Sequence, residues 1–420
     1  MALVDMSRSS AGVSPALRDR YRRVRADTLA LTAPLSAEDQ TIQSMPDTSP
    51  SKWHLAHTTW FFEEFVLAGG LPGYQRFDAE FSYLFNSYYN AVGPMHARPQ
   101  RGLLSRPALT AVHRYREHVD AAMEQLFEVS SDDPAATALI LLGTHHEQQH
   151  QELILTDIKH ALACNPLLPV YTEGEAPASN ARAMRFTEGV EGPVEIGHQG
   201  SGFHYDNEGP RHTVWLHRHA LADRLVTNGE FRAFIDDGGY RTPALWLSEG
   251  WSTVQEQGWQ RPYYWSEDLE REFTLHGEQA IDPHRPVCHL SYFEADAFAR
   301  WAGARLPTEA EWESAASGET CPESLWQRGW LHPAPVRDTG NRQFHGQVWE
   351  WTASAYSAYP GYRPAAGAVG EYNGKFMCNQ YVLRGGSCAT PPAHLRTSYR
   401  NFFPTSARWQ FSGLRLARDN

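Results

Sequence analysis

Several features that mark common protein classes are scarce in this chain of 420 residues. The five cysteines include no Cys-x-x-Cys pair, which argues against a disulfide scaffold and favours a reducing compartment. No apolar run approaches the roughly 18 residues of a membrane span, and residues 1–15 lack the apolar core of a signal peptide. We therefore expect a cytoplasmic protein without a membrane partner.

Positive charge is also scarce, because 37 Lys and Arg residues stand against 49 Asp and Glu residues, for a net charge of −12. An acidic chain lacks the positive surface that phosphate backbones require, so we expect no nucleic-acid partner. With 41% apolar and 20% charged residues, the composition excludes a disordered or fibrous protein. Nothing in the sequence indicates an oligomeric state.

Tryptophan and histidine are abundant, with 14 and 20 residues. Only Trp53 and Trp60 precede residue 170, and the other tryptophans follow it. At about 100–200 residues per domain, the length and this asymmetry predict two domains. We predict a mobile N-terminus over residues 1–16, a first domain over 17–172, a linker containing Gly, Pro, Ala and Ser over 173–182, and a second domain over 183–420.

The first domain is predicted to be helical, because apolar residues recur at spacings of three and four in four segments. These segments are Leu17–Leu31, Trp53–Leu67, Ala108–Val129 and Pro134–Leu162. Four such helices are typical of an up-and-down bundle, and Glu63 is expected on the polar face of the second one. The second domain is predicted to contain short strands and turns, with helices near Asn228–Asp236 and Ser291–Ala302. The predicted fold class is therefore α+β.

The strongest chemical signal is a run of polar residues in the fourth predicted helix, His145-His146-Glu147-Gln148-Gln149-His150. His146 and His150 are four residues apart, so their side chains share one helix face and can bind one metal. A third ligand can come from His54 or His57 on the second helix, since bundles build metal sites from facing helices. Three histidines leave coordination positions open, which is typical of a catalytic site.

Two other interpretations of this segment stay open. A His-x-x-x-His pair is often only the polar face of a helix. The same letters spell His-Glu-x-x-His, the zinc metalloprotease signature in which the glutamate is the general base, although no further protease feature follows downstream. Imidazole suits both zinc and iron, so the ligands alone leave the metal undecided.

Several separated motifs, from about Leu17 to Asp419, make the chain resemble a known enzyme family. They are WHLAH (53–57), LFNSYY (84–89), HARPQRG (96–102), HEQQH (146–150), RLPTEAEWE (305–313), GQVWEWT (346–352), LRGGS (383–387) and RNFF (400–403). The chain resembles the iron(II)-dependent sulfoxide synthases of ergothioneine biosynthesis, the hercynine oxygenases. That resemblance implies a DinB-like four-helix bundle followed by a formylglycine-generating-enzyme-like (C-type-lectin-related) mixed domain.

The resemblance also implies a ligand set and a reaction. His57, His146 and His150 would hold Fe(II), and His54 would be their neighbour. Hercynine, the trimethylated betaine of histidine, would bind the iron through its imidazole, while a thiol and O2 take the remaining positions. The product would be a C–S bonded sulfoxide. The thiol, cysteine or glutamylcysteine, stays open, and small molecules are the only partners expected.

Further residues gain roles from the chemistry that this reaction needs. The resemblance implies that Tyr88 and Tyr89 lie at the active site. Tyr89, and as second choice Tyr88, is therefore predicted to be the proton donor, because a phenol at hydrogen-bonding distance can serve. Simple packing is the alternative for this pair. Arg98 and Arg101 are predicted to bind the carboxylate of the thiol substrate, since arginine matches carboxylates bidentately. Their alternative is a surface ion pair.

The resemblance places four residues at hercynine. Gln149 would contact the imidazole and Asn401 the carboxylate, and Phe402 and Phe403 would surround the trimethylammonium group, which prefers aromatic faces. Plain core packing is an equal alternative for the two phenylalanines. Structural roles alone are expected for Trp312, Trp349, Trp351, Arg305 and Glu313.

The second domain lacks the copper ligands of a formylglycine-generating enzyme. In that enzyme a Cys pair follows the RGGS stretch, whereas here Cys388 follows Ser387 and no later cysteine occurs. Without the thiolates that select Cu(I), we expect this domain to bind substrate.

Three alternative functions stay open. A selenoneine synthase would couple a selenosugar to hercynine in the same fold, and Ala97 stands where we expect proline in the sulfur branch. A zinc-dependent DinB-like hydrolase or thiol transferase would need no O2. A non-catalytic binding module would tolerate replacement of His146 with no loss beyond stability.

Overall fold

A computed structural model describes residues 15–129, 133–178, 182–319, 325–336 and 342–419. The chain divides into two compact units, Met1–Ile158 and Lys159–Asn420. Of the predicted mobile N-terminus, residues 1–14 lie outside the described residues, and residues 15 and 16 open the first helix. Of the predicted linker, residues 179–181 also lie outside them, so the predicted domain boundaries stay predictions.

Helices build the first unit. They are α1 (Pro15–Thr32), α2 (Ser51–Phe62), α3 (Ala68–Gly70), α4 (Phe81–Phe85), α5 (Leu109–Val129) and α6 (Pro134–Ala163), the last of which ends beyond the unit boundary. The four long helices match the four predicted segments to within a few residues. Pro134 opens α6 because the first position of a helix needs no backbone N–H donor.

One apolar stripe of α5 supplies much of the core of this unit. Its members are buried at spacings of three and four, as the pattern predicts: Val112, Tyr115, Val119, Met123, Leu126 and Phe127. From α1, Tyr21 meets the ring of Phe62 on α2 edge-on, with centroids 4.9 Å apart. The stripe therefore packs inside the predicted helical bundle.

Glu63 corrects one expectation of the sequence. It opens a π-helical turn, Glu63–Leu67, that joins α2 to α3, and its side chain is buried. Tyr115 Oη donates to its Oε2 over 2.6 Å and Tyr74 Oη to its Oε1 over 2.7 Å. Partners on other segments thus satisfy a carboxylate that the period of an α-helix assigns to the polar face.

Short sheets build the second unit. Its strands are β1 (Phe186–Glu188), β2 (Gly192–Ile196), β3 (His212–Leu216), β4 (His219–Ala222), β5 (Arg271–Thr274), β6 (Gly277–Ala280), β7 (Trp349–Ala355), β8 (Gln380–Arg384), β9 (Asn401–Pro404), β10 (Ser412–Gly413) and β11 (Ala417–Asp419). The described strands form a four-stranded sheet in the order β10-β7-β8-β9, a three-stranded sheet β1-β4-β11 and two ribbons, β2-β3 and β5-β6. In the largest sheet β10 runs parallel to β7, and the other pairs are antiparallel.

Within the described part of this unit, four α-helices interrupt the strands: α7 (Asn228–Asp236), α8 (Ser248–Gln257), α9 (Tyr292–Trp301) and α10 (Glu309–Ala316). The predictions of α7 and α9 are confirmed, whereas α8 and α10 were not predicted. A signal for α10 existed, because Thr308 and Glu311 form a capping box at its start. The start of α8 has no side-chain cap.

The five motif residues of the second unit for which only structural roles are expected lie in the core or in ion pairs. The side chains of Trp312, Trp349 and Trp351 are almost wholly buried. Arg305 Nη2 lies 2.8 Å from Glu311 Oε1, and the carboxylate of Glu313 pairs with a buried arginine, Arg384. Among the described residues, no helix is both long and apolar enough to cross a membrane.

Candidate metal centre

His57 from α2 and His146 and His150 from α6 form a buried cluster. Each offers one ring nitrogen, and these atoms lie within 4.8 Å of one another. His57 Nε2 is 3.2 Å from His146 Nε2. With metal–nitrogen bonds of about 2.1 Å, two ligands at right angles are about 3.0 Å apart. Within the described ranges, it is the only group of three or more His, Cys, Asp or Glu side chains with metal-binding geometry.

Two tryptophans stack with the ring of His57. Trp53, one turn earlier on α2, stacks on it at 4.6 Å with an interplanar angle of 11°. Trp60, one turn later, also stacks with the ring of His57, with centroids 5.5 Å apart and an interplanar angle of 17°. This role was missed in the sequence, although their spacings of four and three residues from His57 placed both on its helix face.

A backbone carbonyl sets the proton position on His57. Its Nδ1 lies 2.6 Å from Phe85 O, at the end of α4. A carbonyl only accepts, so Nδ1 carries the proton and Nε2 presents its lone pair to the cluster. Such a contact to the second ring nitrogen is usual for a metal-binding histidine.

The three rings are neutral near pH 7. Burial lowers the pKa of His146 to about 3. Burial, together with the neighbouring His146, also lowers the pKa of His57 and of His150 well below the usual value. Metal binding needs neutral imidazole, so this donor set fits a divalent metal ion with no proton to displace.

Glu147 lies between His146 and His150 in the sequence, but its side chain pairs with two arginines. Arg25 Nη1 donates to its Oε2 over 3.0 Å, and Arg116 Nη2 donates to its Oε1 over 2.9 Å. Although burial alone would raise it, these two cations hold the pKa of Glu147 below its usual value. A carboxylate held in this way cannot act as general base for a metal-bound water, so the metalloprotease interpretation of HEQQH is wrong.

His54, the other candidate on α2, contacts a ligand instead of joining the triad. Its Nδ1 lies 2.8 Å from His150 Nδ1, and its Nε2 lies 3.0 Å from Asp157 Oδ2. Asp157 was not singled out in the sequence. Its position two turns after His150 on α6 was the signal that could have found it.

The tyrosine pair lies in the irregular segment that follows α4. Tyr89 is wholly buried and Tyr88 half-buried, and their rings stack at 4.6 Å. The ring of Tyr89 is 5.6 Å from that of Trp60. Because Trp60 in turn stacks on His57, a single ring separates Tyr89 from the triad.

The two predicted arginines share one 3-10 turn, Arg98–Leu103, but differ in environment. Arg98 is exposed and donates to the backbone carbonyl of Asp47. Arg101 is buried; its guanidinium lies 3.4 Å from the ring centroid of Trp53, and its Nη1 donates to Ser49 Oγ over 2.9 Å.

Arg101 has no carboxylate partner among the described residues. Burial and the nearby Arg98 lower its pKa to about 9, so it remains a cation at neutral pH. A buried cation is costly unless it is paired. Since Trp53 also stacks on His57, Arg101 is a candidate anion-binding group beside the triad.

The residues predicted at hercynine lie on two elements. Gln149 is half-buried on α6 in the first unit. In the second unit, Asn401, Phe402 and Phe403 follow one another on β9, so successive side chains point to opposite faces of the sheet. Phe402 stacks on Tyr356 at 4.0 Å, and Asn401 Oδ1 accepts the backbone N–H of Phe402 over 2.9 Å.

Comparisons with known proteins extend these observations. A model of the DinB superfamily matches residues 20–154, and a model of the Sulfatase-modifying factor enzyme 1-like domain matches residues 173–337 and 331–420. The hercynine oxygenase of Mycobacterium tuberculosis is 33% identical to this chain, covering 94% of it and 97% of the relative. The chain belongs to the hercynine oxygenase family.

Membership of the hercynine oxygenase family confirms the predicted fold class, an α+β chain with a DinB-like bundle before a formylglycine-generating-enzyme-like domain. The hercynine oxygenase of Mycolicibacterium smegmatis is 32% identical over 96% of this chain and 98% of its own length. The formylglycine-generating enzyme of Streptomyces coelicolor is 31% identical but covers only 50% of this chain. The chain is thus an oxidative enzyme of the family whose two compared members each cover more than nine-tenths of it.

Proposed function

We propose that this hercynine oxygenase family member uses Fe(II) and O2 to join a thiol, cysteine or glutamylcysteine, to the imidazole carbon of hercynine. The product is the sulfoxide precursor of ergothioneine. The reaction balances, since one C–H and one S–H bond are broken, a C–S and an S–O bond form, and the second oxygen atom leaves as water. The buried triad of His57, His146 and His150 is the observation that carries the proposal.

Three neutral imidazoles fit an iron site with open positions. Histidine is among the usual ligands of non-haem iron, and three protein ligands leave room for substrates. When bound, the ion would activate O2, which supplies the oxidising capacity for C–S bond formation. The protein contributes a buried setting for the ion, because the side chains of His57, His146 and His150 are all buried.

Arg101 orients the thiol substrate in this proposal. Its guanidinium, which has no carboxylate partner among the described residues, donates hydrogen bonds to the carboxylate of the thiol substrate. A charge-assisted, bidentate pair of this kind fixes both distance and direction. The ring of Trp53 contacts both this cation and His57. Arg98, which is exposed on the same 3-10 turn, adds a second positive charge near Arg101.

Tyr89 is the proposed proton donor, acting from its Oη. Asn86 holds this residue, because Tyr89 N donates to Asn86 Oδ1 and Asn86 Nδ2 donates to Tyr89 O, both over 3.1 Å. Tyr88 stacks on it and is the second choice. Gln149 contacts the imidazole of hercynine, Asn401 its carboxylate, and Phe403, on the same face of β9 as Asn401, its trimethylammonium group. Phe402, on the opposite face, packs against Tyr356.

Product analysis by mass spectrometry tests the proposal. Iron-loaded protein is incubated with hercynine, O2 and a panel of cysteine, glutamylcysteine and a selenosugar. A hercynine–thiol sulfoxide supports the proposal, and the absence of any coupled product from every donor overturns it.

A selenium product would favour the selenoneine alternative, for which Ala97 is the specific observation. Its φ of −61° already suits proline. The substitution Ala97→Pro therefore tests whether this residue influences the choice of donor without forcing a new backbone angle at this position.

A further inference from the structure

A hydrogen-bonded chain leads away from the metal ligand His150. His150 Nδ1 lies 2.8 Å from His54 Nδ1, and His54 Nε2 lies 3.0 Å from Asp157 Oδ2. All three side chains are at most 8% exposed. Two of these residues, His54 and Asp157, have no role in the function proposed above.

The carboxylate of Asp157 decides where the protons of this chain reside. Its Oδ2 also accepts the backbone N–H of Ser49 over 2.8 Å, so this oxygen acts as an acceptor. His54 Nε2 must then donate to it, because a lone pair facing a carboxylate at 3.0 Å is repulsive. A neutral imidazole carries one proton, so His54 Nδ1 is left as an acceptor.

The same reasoning applies to the metal ligand His150. Since His54 Nδ1 accepts, His150 Nδ1 donates, and the lone pair of His150 resides on Nε2. The opposite tautomer of His54 would oblige His150 to present an N–H at Nε2 in place of a lone pair. One buried carboxylate therefore determines which nitrogen of His150 is able to bind a metal.

We propose that His54 and Asp157 are positioning residues that hold the tautomer and ring orientation of His150 and thereby raise the affinity of the triad for its metal. The inference rests on the proposed function in one respect, that the triad binds a metal ion. Outer partners of this kind make the ligand more basic, and their loss typically weakens metal binding about 10–100-fold.

The metal ligands His57 on α2 and His150 on α6 have different outer partners. His57 donates to a backbone carbonyl, that of Phe85, over 2.6 Å. His150 reaches a carboxylate through a second imidazole, so a negative charge lies behind this ligand. Substitutions of His54 or Asp157 remove that charge or its link to His150 while leaving all three ligands in place.

Titration of the apo full-length protein with Co(II), followed by visible absorbance and by competition with a chelator, tests this inference. Asp157→Ala and His54→Phe are each expected to weaken Co(II) binding about 10–100-fold. The double variant is expected to be no weaker than either single variant, because both break one chain. Asp157→Asn keeps an acceptor oxygen without the charge and is expected to restore part of the affinity.

A spectroscopic reading makes the test independent of affinity and of activity. Ring ¹⁵N shifts of the apo protein are expected to show His150 with its proton on Nδ1, and Asp157→Ala is expected to change that tautomer population. His145→Gln is the matched control, since His145 is buried on the same helix but contacts Arg20, with its Nε2 3.0 Å from Arg20 Nη2. It is expected to bind Co(II) like the unmodified protein.

The outcomes separate this inference from the proposed function. If His146→Ala abolishes Co(II) binding while His54→Phe and Asp157→Asn bind within twofold of the unmodified protein, the positioning role is wrong and the metal site stands. If His146→Ala binds Co(II) normally, the metal site and the proposed function both fail. If Asp157→Ala or His54→Phe fails to fold, Asp157→Asn replaces it. Co(II) binding by Asp157→Asn that is more than twofold weaker than that of the unmodified protein then supports the positioning role, and binding within twofold contradicts it.

Discussion

Arg116 Nη2 donates a hydrogen bond of 2.9 Å to Glu147 Oε1, and both side chains are almost wholly buried. This pair separates two chemistries that share the letters HExxH. In a zinc protease the glutamate acts on a metal-bound water, whereas here it accepts hydrogen bonds from Arg116 and Arg25 inside the bundle. The neighbouring histidines serve the metal centre, and the glutamate between them serves the fold.

Removing that carboxylate is expected to destabilise the first unit. Glu147→Ala removes the carboxylate that pairs with the buried Arg116, while Arg25 keeps Asp120 at 2.8 Å, and breaking a buried pair costs about 3–5 kcal/mol of unfolding free energy. Urea unfolding followed by circular dichroism measures the change. Glu128→Ala is the control, since its partner Arg18 lies 3.5 Å away at the exposed surface, and such pairs contribute about 0–1 kcal/mol. An unfolding free energy of Glu147→Ala equal to that of the unmodified protein would contradict the structural role of Glu147.

Arg101 is expected to determine the affinity for the thiol substrate. Arg101→Met is predicted to raise KM for the donor about 30-fold or more, because removing one partner of a buried charge pair costs about 2–5 kcal/mol, and to leave KM for hercynine unchanged. Its unfolding free energy is expected to hold or rise, since the cation has no carboxylate partner among the described residues. Steady-state kinetics with each substrate varied in turn measures both constants.

The exposed Arg98 is the matched control for Arg101 on the same turn. Arg98→Met is expected to raise KM for the donor by much less, because an exposed charge is screened by water. An increase in KM for hercynine with Arg101→Met, at constant KM for the thiol, would contradict the assignment.

Tyr89 is expected to affect the chemical step and not binding. A positioned general acid contributes about 10²–10⁴-fold in rate, so Tyr89→Phe is predicted to lower kcat for sulfoxide formation by about that factor with little change in either KM. Tyr88→Phe is the control and is expected to have a smaller effect. If Tyr88→Phe loses the larger factor, the proton donor is the other member of the pair.

Stability of the metal-free protein is expected to fall as pH drops below about 6.5, the usual pKa of histidine in an unfolded chain. The pKa of His146 is lowered to about 3 in the folded protein. Between these values the unfolded chain binds a proton that the folded chain does not, so stability increases with pH by up to about 1.4 kcal/mol per unit for this residue. His146→Phe is expected to reduce the slope by one proton; an unchanged slope in urea titrations from pH 4 to 7 would contradict it.

Periodicity predicted what depends on local spacing. The four long helices and the burial of the α5 stripe follow from apolar residues at intervals of three and four. The pairing of His146 with His150 follows from a spacing of four on α6. In each case one element contains all of the information.

Spacing could not choose among residues whose roles depend on other elements. His54 and His57 are alike in sequence, and the choice between them is made by the carbonyl of Phe85 and the carboxylate of Asp157. Arg98 and Arg101 are also alike, yet the fold exposes one and buries the other against Trp53. These contacts join segments far apart in the chain, where a local pattern carries no signal.

Oxygen consumption tests the central claim most directly. Iron-loaded protein, followed with an oxygen electrode, is expected to consume O2 only when hercynine and a suitable thiol are both present, with one O2 used for each sulfoxide formed. His146→Ala is expected to show none of this uptake, and His145→Gln to retain it. Uptake that needs no hercynine, or that persists in His146→Ala, would contradict the assignment of the triad as the oxidative centre.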